Sequence, residues 1–318
     1  MEFQKARELV SCHRSYLMGF AIIWIIIHHI QFFGLYDFGY FSFFARIGSC
    51  GVDIFLFVSA FGLYHSLCRN RDVLAFYKRR LLRVLPSFIL IGLVVALMSA
   101  PLSLFSPRYW YNQFYCNWYI SFILIMYLIY PFIYRIQKEN IFLPLLLGII
   151  FSSLMTIVLI NLHKDDIHDV PMLMFQRFPI FMLGSLFADK RLRGKVFMCF
   201  IIPLCIMSCL LLHLSYQNQL LFLIYILFFF LAASLTLILS RYWIKWLEKL
   251  FSFSGKISLE LYLVHMTLLP YLMRHYVPNS VGICITIIVL ILASYIAALI
   301  LNHIVSMLES RIQKYIIK

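Results

Sequence analysis

The sequence has little negative charge and few charges of any kind. Only 13 of its 318 residues are Asp or Glu, and charged residues together make up 13% of the chain. No internal repeat, low-complexity tract or long linker interrupts it, and the longest polar stretch is only 69–80. A soluble globular domain carries about twice this share of charge. These absences exclude a soluble domain and leave one domain over residues 1–318 as the simplest organisation.

Motifs for binding metals or cofactors are also scarce. The eight cysteines include no C-x-x-C pair, the spacing typical of zinc sites and dithiol redox sites. The most acidic segment, 164–169, is better explained as a solvated loop between two helices than as a metal site. We therefore expect no metal site and no permanently bound cofactor.

Long apolar segments dominate what is present. Hydrophobic residues make up 63% of the chain and the mean hydropathy is +0.91. Segments of about 20 residues, the length that crosses roughly 30 Å of hydrocarbon, occur at residues 15–34, 48–67, 81–100, 117–136, 141–162, 171–188, 196–214, 219–240, 256–276 and 280–303. We predict an all-α polytopic membrane helical bundle with ten transmembrane helices. The first segment is too long for a signal-peptide core, so we expect it to be retained.

The positive charge is distributed as membrane topology requires. A net charge of +14 is compatible with nucleic-acid binding, but all except five of the 27 Lys and Arg residues lie on the side of the predicted bundle that holds the N-terminus. The five exceptions are Arg46, Arg108, Lys164, Arg177 and Arg274. By the positive-inside rule both termini are cytoplasmic. We therefore expect the lipid bilayer, and no nucleic acid, as a partner.

A basic layer lies at the predicted cytoplasmic end. Arg79, Arg80 and Arg83 stand at the head of the third predicted helix, and Arg14 opens the first. Residues four apart share a helix face, as Arg79 and Arg83 do. Guanidinium groups bind phosphate in a bidentate manner, so the layer suits a phosphorylated ligand. Orientation by charge and contact with anionic lipid explain it equally well.

A second polar layer lies towards the outer side. His29 is 15 residues, about 22 Å of helix, beyond Arg14, and Asp53 lies at a matching depth on the second predicted helix. Ionisable groups are costly in hydrocarbon unless they are used or paired. A carboxylate that orients an imidazole is the usual arrangement of a general base. The alternative is a structural hydrogen-bonded pair between two helices.

Further polar residues lie in the ninth predicted helix and at the outer ends of the fourth and sixth. Glu260 is expected to pair with Arg14 or an arginine of the third helix, and Tyr262 and His265 are expected to support the site. Trp118 and Tyr119 are suited either to stack on a sugar ring or to anchor the helix at the interface. Arg177 is suited to pair with Asp53 or to bind an acidic sugar.

Six blocks of the sequence together resemble acyltransferase family 3, whose members are multi-span membrane enzymes that acylate envelope glycans. They occur in the family's order and cover nearly the whole chain. The blocks are LMGFAIIWIIIHH (17–29), GVDIFLFVSAFGLYHS (51–66), FYKRRLLRVLPSF (76–88), NWYISFILIMYLIYP (117–131), RFPIFMLGSLFA (177–188) and ISLELYLVH (257–265).

The resemblance implies an O-acyltransferase of the bacterial cytoplasmic membrane. The donor would be cytoplasmic acyl-CoA, most simply acetyl-CoA, held by Arg79, Arg80 and Arg83. The acceptor would be a hydroxyl of an envelope glycan or lipid-linked sugar, met from the outer side. His29 would take the hydroxyl proton, with Asp53 fixing its tautomer. A covalent acyl-histidine intermediate is the alternative to direct transfer.

One position departs from the family pattern. Family members often carry an arginine in the spacing R-x10-H before a first-helix histidine, and counting back from His29 reaches Met18. Arg14 lies one turn earlier on nearly the same face, so we hypothesise that it supplies the missing charge. The same spacing from His28 reaches Leu17, and His29 is therefore the better candidate.

The competing function is a proton-coupled secondary transporter, because buried His, Asp and Glu residues can form a proton relay. Transporters often consist of two related halves with helices interrupted at matching positions. The sequence contains no such correspondence, which favours the acyltransferase.

Overall fold

A computed structural model of the chain describes residues 2–99, 101–162, 170–192, 234–242, 245–275 and 280–316. Within these ranges the regular structure is helical throughout, and no strand is present. The α-helices are α1 (Glu2–Cys12), α2 (Arg14–Phe32), α3 (Ser42–Arg46), α4 (Cys50–Arg69), α5 (Val73–Ser99), α6 (Pro107–Cys116), α7 (Trp118–Glu139), α8 (Leu143–Leu162), α9 (Val170–Phe175), α10 (Phe178–Ala188), α11 (Lys245–Lys256), α12 (Ser258–His275) and α13 (Ser280–Ile316). The all-α prediction is confirmed.

Five stretches in the described part of the chain are long and apolar enough to cross a membrane. They are Arg14–Phe32, Gly39–Arg69, Val73–Met98, Trp118–Glu139 and Ile285–Ile312, and shorter apolar helices cover Leu143–Leu159 and Leu173–Ala188. The predicted span 196–214, most of 219–240 and the acidic loop 164–169 lie outside the described residues. The chain is thus a multi-helix membrane protein, and the count of ten stays a prediction.

The third membrane helix begins earlier than the sequence analysis predicted. We placed its start at residue 81, but α5 starts at Val73 after a connection of residues 70–72. The Asp72 carboxylate accepts hydrogen bonds from the backbone N–H groups of Leu74 and Ala75, at 2.9 and 3.1 Å. A carboxylate in this position satisfies the free N–H groups of a first helical turn. The basic residues therefore lie on this helix, as we predicted, but a full turn or more after its start.

The centre of the bundle is α4, whose side chains are buried along nearly its whole length. It packs extensively against α10, and α2 packs most closely against α11. A Cβ on Gly19 of α2 would overlap the backbone of Phe251, and one on Gly255 would overlap the backbone of Ser15. Small residues allow membrane helices to approach in this way. The close contact of α2 with α11 fixes the position of the helix that carries His29.

Candidate active site

His29 forms its polar contact with another histidine. Its Nδ1 lies 2.9 Å from Nε2 of His265, so the pair joins α2 to α12. Nδ1 of His265 lies 2.8 Å from the carbonyl oxygen of Leu261, one turn earlier on its own helix. The His265 side chain is 1% exposed, whereas His29 is partly exposed. One imidazole is therefore fixed inside the bundle and holds the other at its edge.

Asp53 has a different partner from the one that we predicted. Its Oδ1 lies 3.3 Å from Nε of Arg177, and both side chains are 3% exposed. Within the described residues no hydrogen bond or ion pair joins Asp53 to His29. The predicted contact between Asp53 and His29 is therefore wrong. A buried carboxylate is best compensated by a permanent cation, and α4 packs directly against α10. The ion pair expected of Arg177 is confirmed.

The Arg177 side chain also organises the outer aromatic residues. Its guanidinium carbon lies 4.7 Å from the ring centroid of Trp118, and its Nη1 donates to the carbonyl oxygen of Leu173 at 3.0 Å. A cation over the face of a tryptophan ring is attracted by the ring quadrupole. Trp118 therefore lies against Arg177, whereas Tyr119 lines the cavity described next.

An arginine cavity opens at the other end of α2. It has a volume of about 370 Å³. Arg14, Arg80 and Arg83 line it, and no carboxylate does. Arg79 is exposed and is not part of its wall. The remaining wall consists of Ser15, Met18, Phe55, Ser59, Val84, Tyr119, Ile123, Tyr127, Gly255, Ser258 and Leu259. Three of the four predicted basic residues thus meet around one space.

The three arginines of this cavity are not equally compensated. Arg83 pairs with Glu260 at 3.2 Å, and Ser87 donates to the same carboxylate oxygen at 3.1 Å. Glu260 is completely buried. In the part of the chain that the structure describes, neither Arg14 nor Arg80 has an ion-pair partner, and Nε of Arg80 is buried without a hydrogen bond. The predicted pairing of Glu260 is confirmed, and two cations remain for a ligand.

Met18 and Arg14 line the same cavity. The guanidinium of Arg14 lies against α4, so close that a Cβ on Gly62 would be 3.2 Å from Nη1. A glycine at this position leaves room for the arginine. The hypothesis that Arg14 replaces an arginine at Met18 is therefore geometrically sound, since both positions face the same space.

His28 makes different contacts from His29. Its Nδ1 lies 3.1 Å from the carbonyl oxygen of Ala45, and its ring stacks on Phe32 at a centroid distance of 5.8 Å. His28 thus ties α2 to the short helix α3 and does not contact His265.

Aromatic rings connect the arginine cavity to the histidines. Tyr119, which lines the cavity, packs against Tyr262 with ring centroids 5.1 Å apart, and Tyr262 packs against His265 at 5.5 Å. The sequence analysis did not identify Tyr127 or Ser59 as cavity residues. Tyr127 could have been identified from the helical repeat, because it follows Tyr119 by two steps of four residues and so lies towards the same face of the helix.

The described residues contain no group of three or more His, Cys, Asp or Glu side chains able to hold a metal ion. Comparison with known families gives a match to the acyltransferase domain model over residues 16–303. The chain belongs to acyltransferase family 3. Neither curated proteins nor solved structures give a match to it. This family membership makes the chain a membrane acyltransferase. The histidine pair lies within the matched region, as do Arg80 and Arg83 of the arginine cavity, whereas Arg14 lies just before it.

Proposed function

We propose that this acyltransferase moves an acyl group, in the first place acetyl, from acyl-CoA to a hydroxyl of an envelope glycan or lipid-linked sugar. The observation that carries the proposal is the arginine cavity, whose three cations face no carboxylate in its wall. A cluster in which Arg83 is paired with Glu260 but Arg14 and Arg80 have no ion-pair partner among the described residues is a site for an anion. Acyl-CoA is the anionic donor that the chemistry of an acyltransferase requires.

The phosphate groups of the donor would bind to Arg80 and Arg14. Both arginines line the cavity without an ion-pair partner among the described residues, and the fork of a guanidinium matches phosphate oxygens. Arg83 would add a third contact while Glu260 holds it in place. Arg79, on the exposed surface, is assigned no contact with the donor.

The acyl end of the donor would extend from the cavity towards His29. It would run beside the ring contacts that join Tyr119 through Tyr262 to His265. Arg14 and His29 are separated by about 22 Å along α2, a distance that the long pantetheine arm of CoA is suited to span. The nucleotide then remains at the arginines while the thioester reaches the histidine.

The transfer itself needs a general base. The imidazole of His29 takes the proton of the acceptor hydroxyl as that oxygen attacks the thioester carbonyl, and a new C–O bond forms. The C–S bond then breaks, and the CoA thiolate leaves and takes the proton back from the imidazolium. The ester and free CoA are the products. Such help from a base contributes about 10²–10⁴-fold to the rate.

The acceptor would approach at the His29 end of α2, near Trp118 and Arg177. Trp118, held by the buried Arg177, would offer a rigid aromatic face suited to a sugar ring. In the proposed topology, ten helices cross the bacterial cytoplasmic membrane with both termini in the cytoplasm. The arginine cavity then opens to cytoplasmic acyl-CoA, and the histidine end faces outwards.

The experiment that tests this proposal compares variants of the adjacent residues His29 and His28. Membrane vesicles that contain the full-length protein are given radiolabelled acetyl-CoA, and the label in envelope glycan is measured. We expect His29→Ala to lower the labelling rate by about 10²–10⁴-fold, while the variant still accumulates in the membrane. His28→Ala is the matched control, because His28 bonds to the main chain of α3 at Ala45, and it should retain most of the activity.

Two results would contradict the proposal. Wild-type labelling rates in His29→Ala would remove this residue from the reaction. An absence of label in vesicles that contain the wild-type protein, together with no release of free CoA, would overturn the acetyl-CoA-dependent function.

A further inference from the structure

His265 makes two hydrogen bonds whose directions depend on each other. The carbonyl oxygen of Leu261 has only lone pairs, so it accepts, and Nδ1 of His265 at 2.8 Å must donate. A neutral imidazole carries one proton. Nε2 of His265 therefore has a lone pair and is the acceptor on the other side of the ring.

The tautomer of His29 follows from that of His265. Nδ1 of His29 lies 2.9 Å from the acceptor nitrogen of His265, so it carries the proton of the neutral His29 ring. The opposite tautomer would place two lone pairs against each other across this distance. The lone pair of His29 is consequently on Nε2, which makes no hydrogen bond within the described residues.

We infer that His265 is a positioning residue that holds the Nδ1–H tautomer of His29 and keeps Nε2 free to accept a proton. This inference rests on the proposed function for its catalytic meaning, but the tautomer itself does not. A general base usually has its tautomer fixed by a carboxylate. Here a second imidazole, anchored by the main chain of α12, does this without a negative charge.

The first test reads the tautomers directly and needs no substrate. The full-length protein with ¹⁵N-labelled histidine is placed in lipid bilayers, and His29→Gln and His265→Gln variants assign the two rings in solid-state NMR spectra. We expect both neutral rings to carry the proton on Nδ1. A His29 ring with its proton on Nε2, or a His265 ring without a proton on Nδ1, overturns the inference and leaves the proposed acyl transfer untouched.

The second test separates positioning from packing. In His265→Gln the amide oxygen reaches the place of Nε2 and accepts from Nδ1 of His29, whereas His265→Phe fills the volume with no acceptor. We expect His265→Phe to lower kcat by about 10²-fold with an unchanged KM for acetyl-CoA, and His265→Gln to retain clearly more activity. Activity of the Phe variant equal to or above that of the Gln variant overturns the inference. An inactive wild-type protein contradicts the proposed function instead.

Discussion

Helices α2 and α12 contribute to both the arginine cavity and the histidine pair, yet the two sites compensate their polar groups in opposite ways. At the histidine pair, the two rings bond to each other and to the main chain. At the arginine cavity, one of three cations is paired, and the other two have no ion-pair partner among the described residues. A closed chain of neutral contacts fixes a geometry, whereas surplus charge creates affinity for an anion.

The same contrast separates Arg177 from Arg80. Arg177 lies against a buried carboxylate and a tryptophan ring, so its charge is used within the protein. Arg80 lines the cavity, where Phe76 lies 5.8 Å from its guanidinium carbon and no carboxylate pairs with it in the described part of the chain. We therefore expect loss of the Asp53 carboxylate to lower the free energy of unfolding. Loss of the Arg80 cation should instead weaken binding of the donor.

The largest effect is expected at the buried ion pair. Asp53→Asn removes the carboxylate of the ion pair with Arg177, and loss of one partner of such a pair costs about 3–5 kcal/mol of the free energy of unfolding. Denaturant unfolding in detergent micelles measures this. The double variant Asp53→Asn, Arg177→Gln removes both charges and should be less destabilised than the single variant. Wild-type stability of Asp53→Asn would show that the ion pair does not hold α4 to α10.

The next effect concerns donor affinity. Arg80→Gln removes a cation that faces the cavity, and a hydrogen bond to a charged group is worth about 1.5–3 kcal/mol. We expect the KM for acetyl-CoA to rise about 10- to 100-fold, with little change in unfolding. Arg79→Gln is the matched control, because it removes the same charge from the adjacent exposed position. Equal KM values in the two variants would contradict donor binding in the cavity.

A smaller effect tests whether an arginine at position 18 can replace Arg14. Arg14→Gln should raise the KM for acetyl-CoA about tenfold, equivalent to about 1.4 kcal/mol. Because both side chains line the cavity, adding Met18→Arg to that variant should restore most of the affinity. If the double variant binds the donor no better than Arg14→Gln, the two positions do not substitute for each other.

The smallest effect is expected at Trp118. Trp118→Leu removes the ring beneath Arg177, a contact worth about 0.5–2 kcal/mol. The free energy of unfolding should fall by this amount. The KM for acetyl-CoA should stay unchanged, because Trp118 is not in the cavity wall. A changed donor KM in this variant would show that the outer aromatic surface and the cavity are not separate sites.

Local signals in the sequence were sufficient for much of the fold. Apolar segments of membrane length predicted the helices, because a chain in hydrocarbon must satisfy its backbone hydrogen bonds within itself. The early start of α5 was also predictable, since Asp72 stands where a capping carboxylate is needed. The polar stretch 69–80 nevertheless includes the first turns of α5.

The candidate site was only partly predictable. Depth along each helix correctly placed Glu260 near the arginines of α5 and Arg177 near Asp53. The same reasoning placed Asp53 beside His29, and the structure has His265 there. Depth follows from the helical rise, but the direction in which a side chain points across the bundle depends on which helices are neighbours.

The sequence by itself determined that this protein is a helical membrane protein of the acyltransferase family, and it predicted His29 and a set of arginines as site residues. Both conclusions follow from the composition and from six blocks of adjacent residues, and neither needs to know which helices are neighbours. Only the tertiary structure decided the partners: His265 for His29, Arg177 for Asp53 and Glu260 for Arg83. These pairs join residues far apart in the chain, and the packing of α2, α4, α5, α10 and α12 brings them within bonding distance.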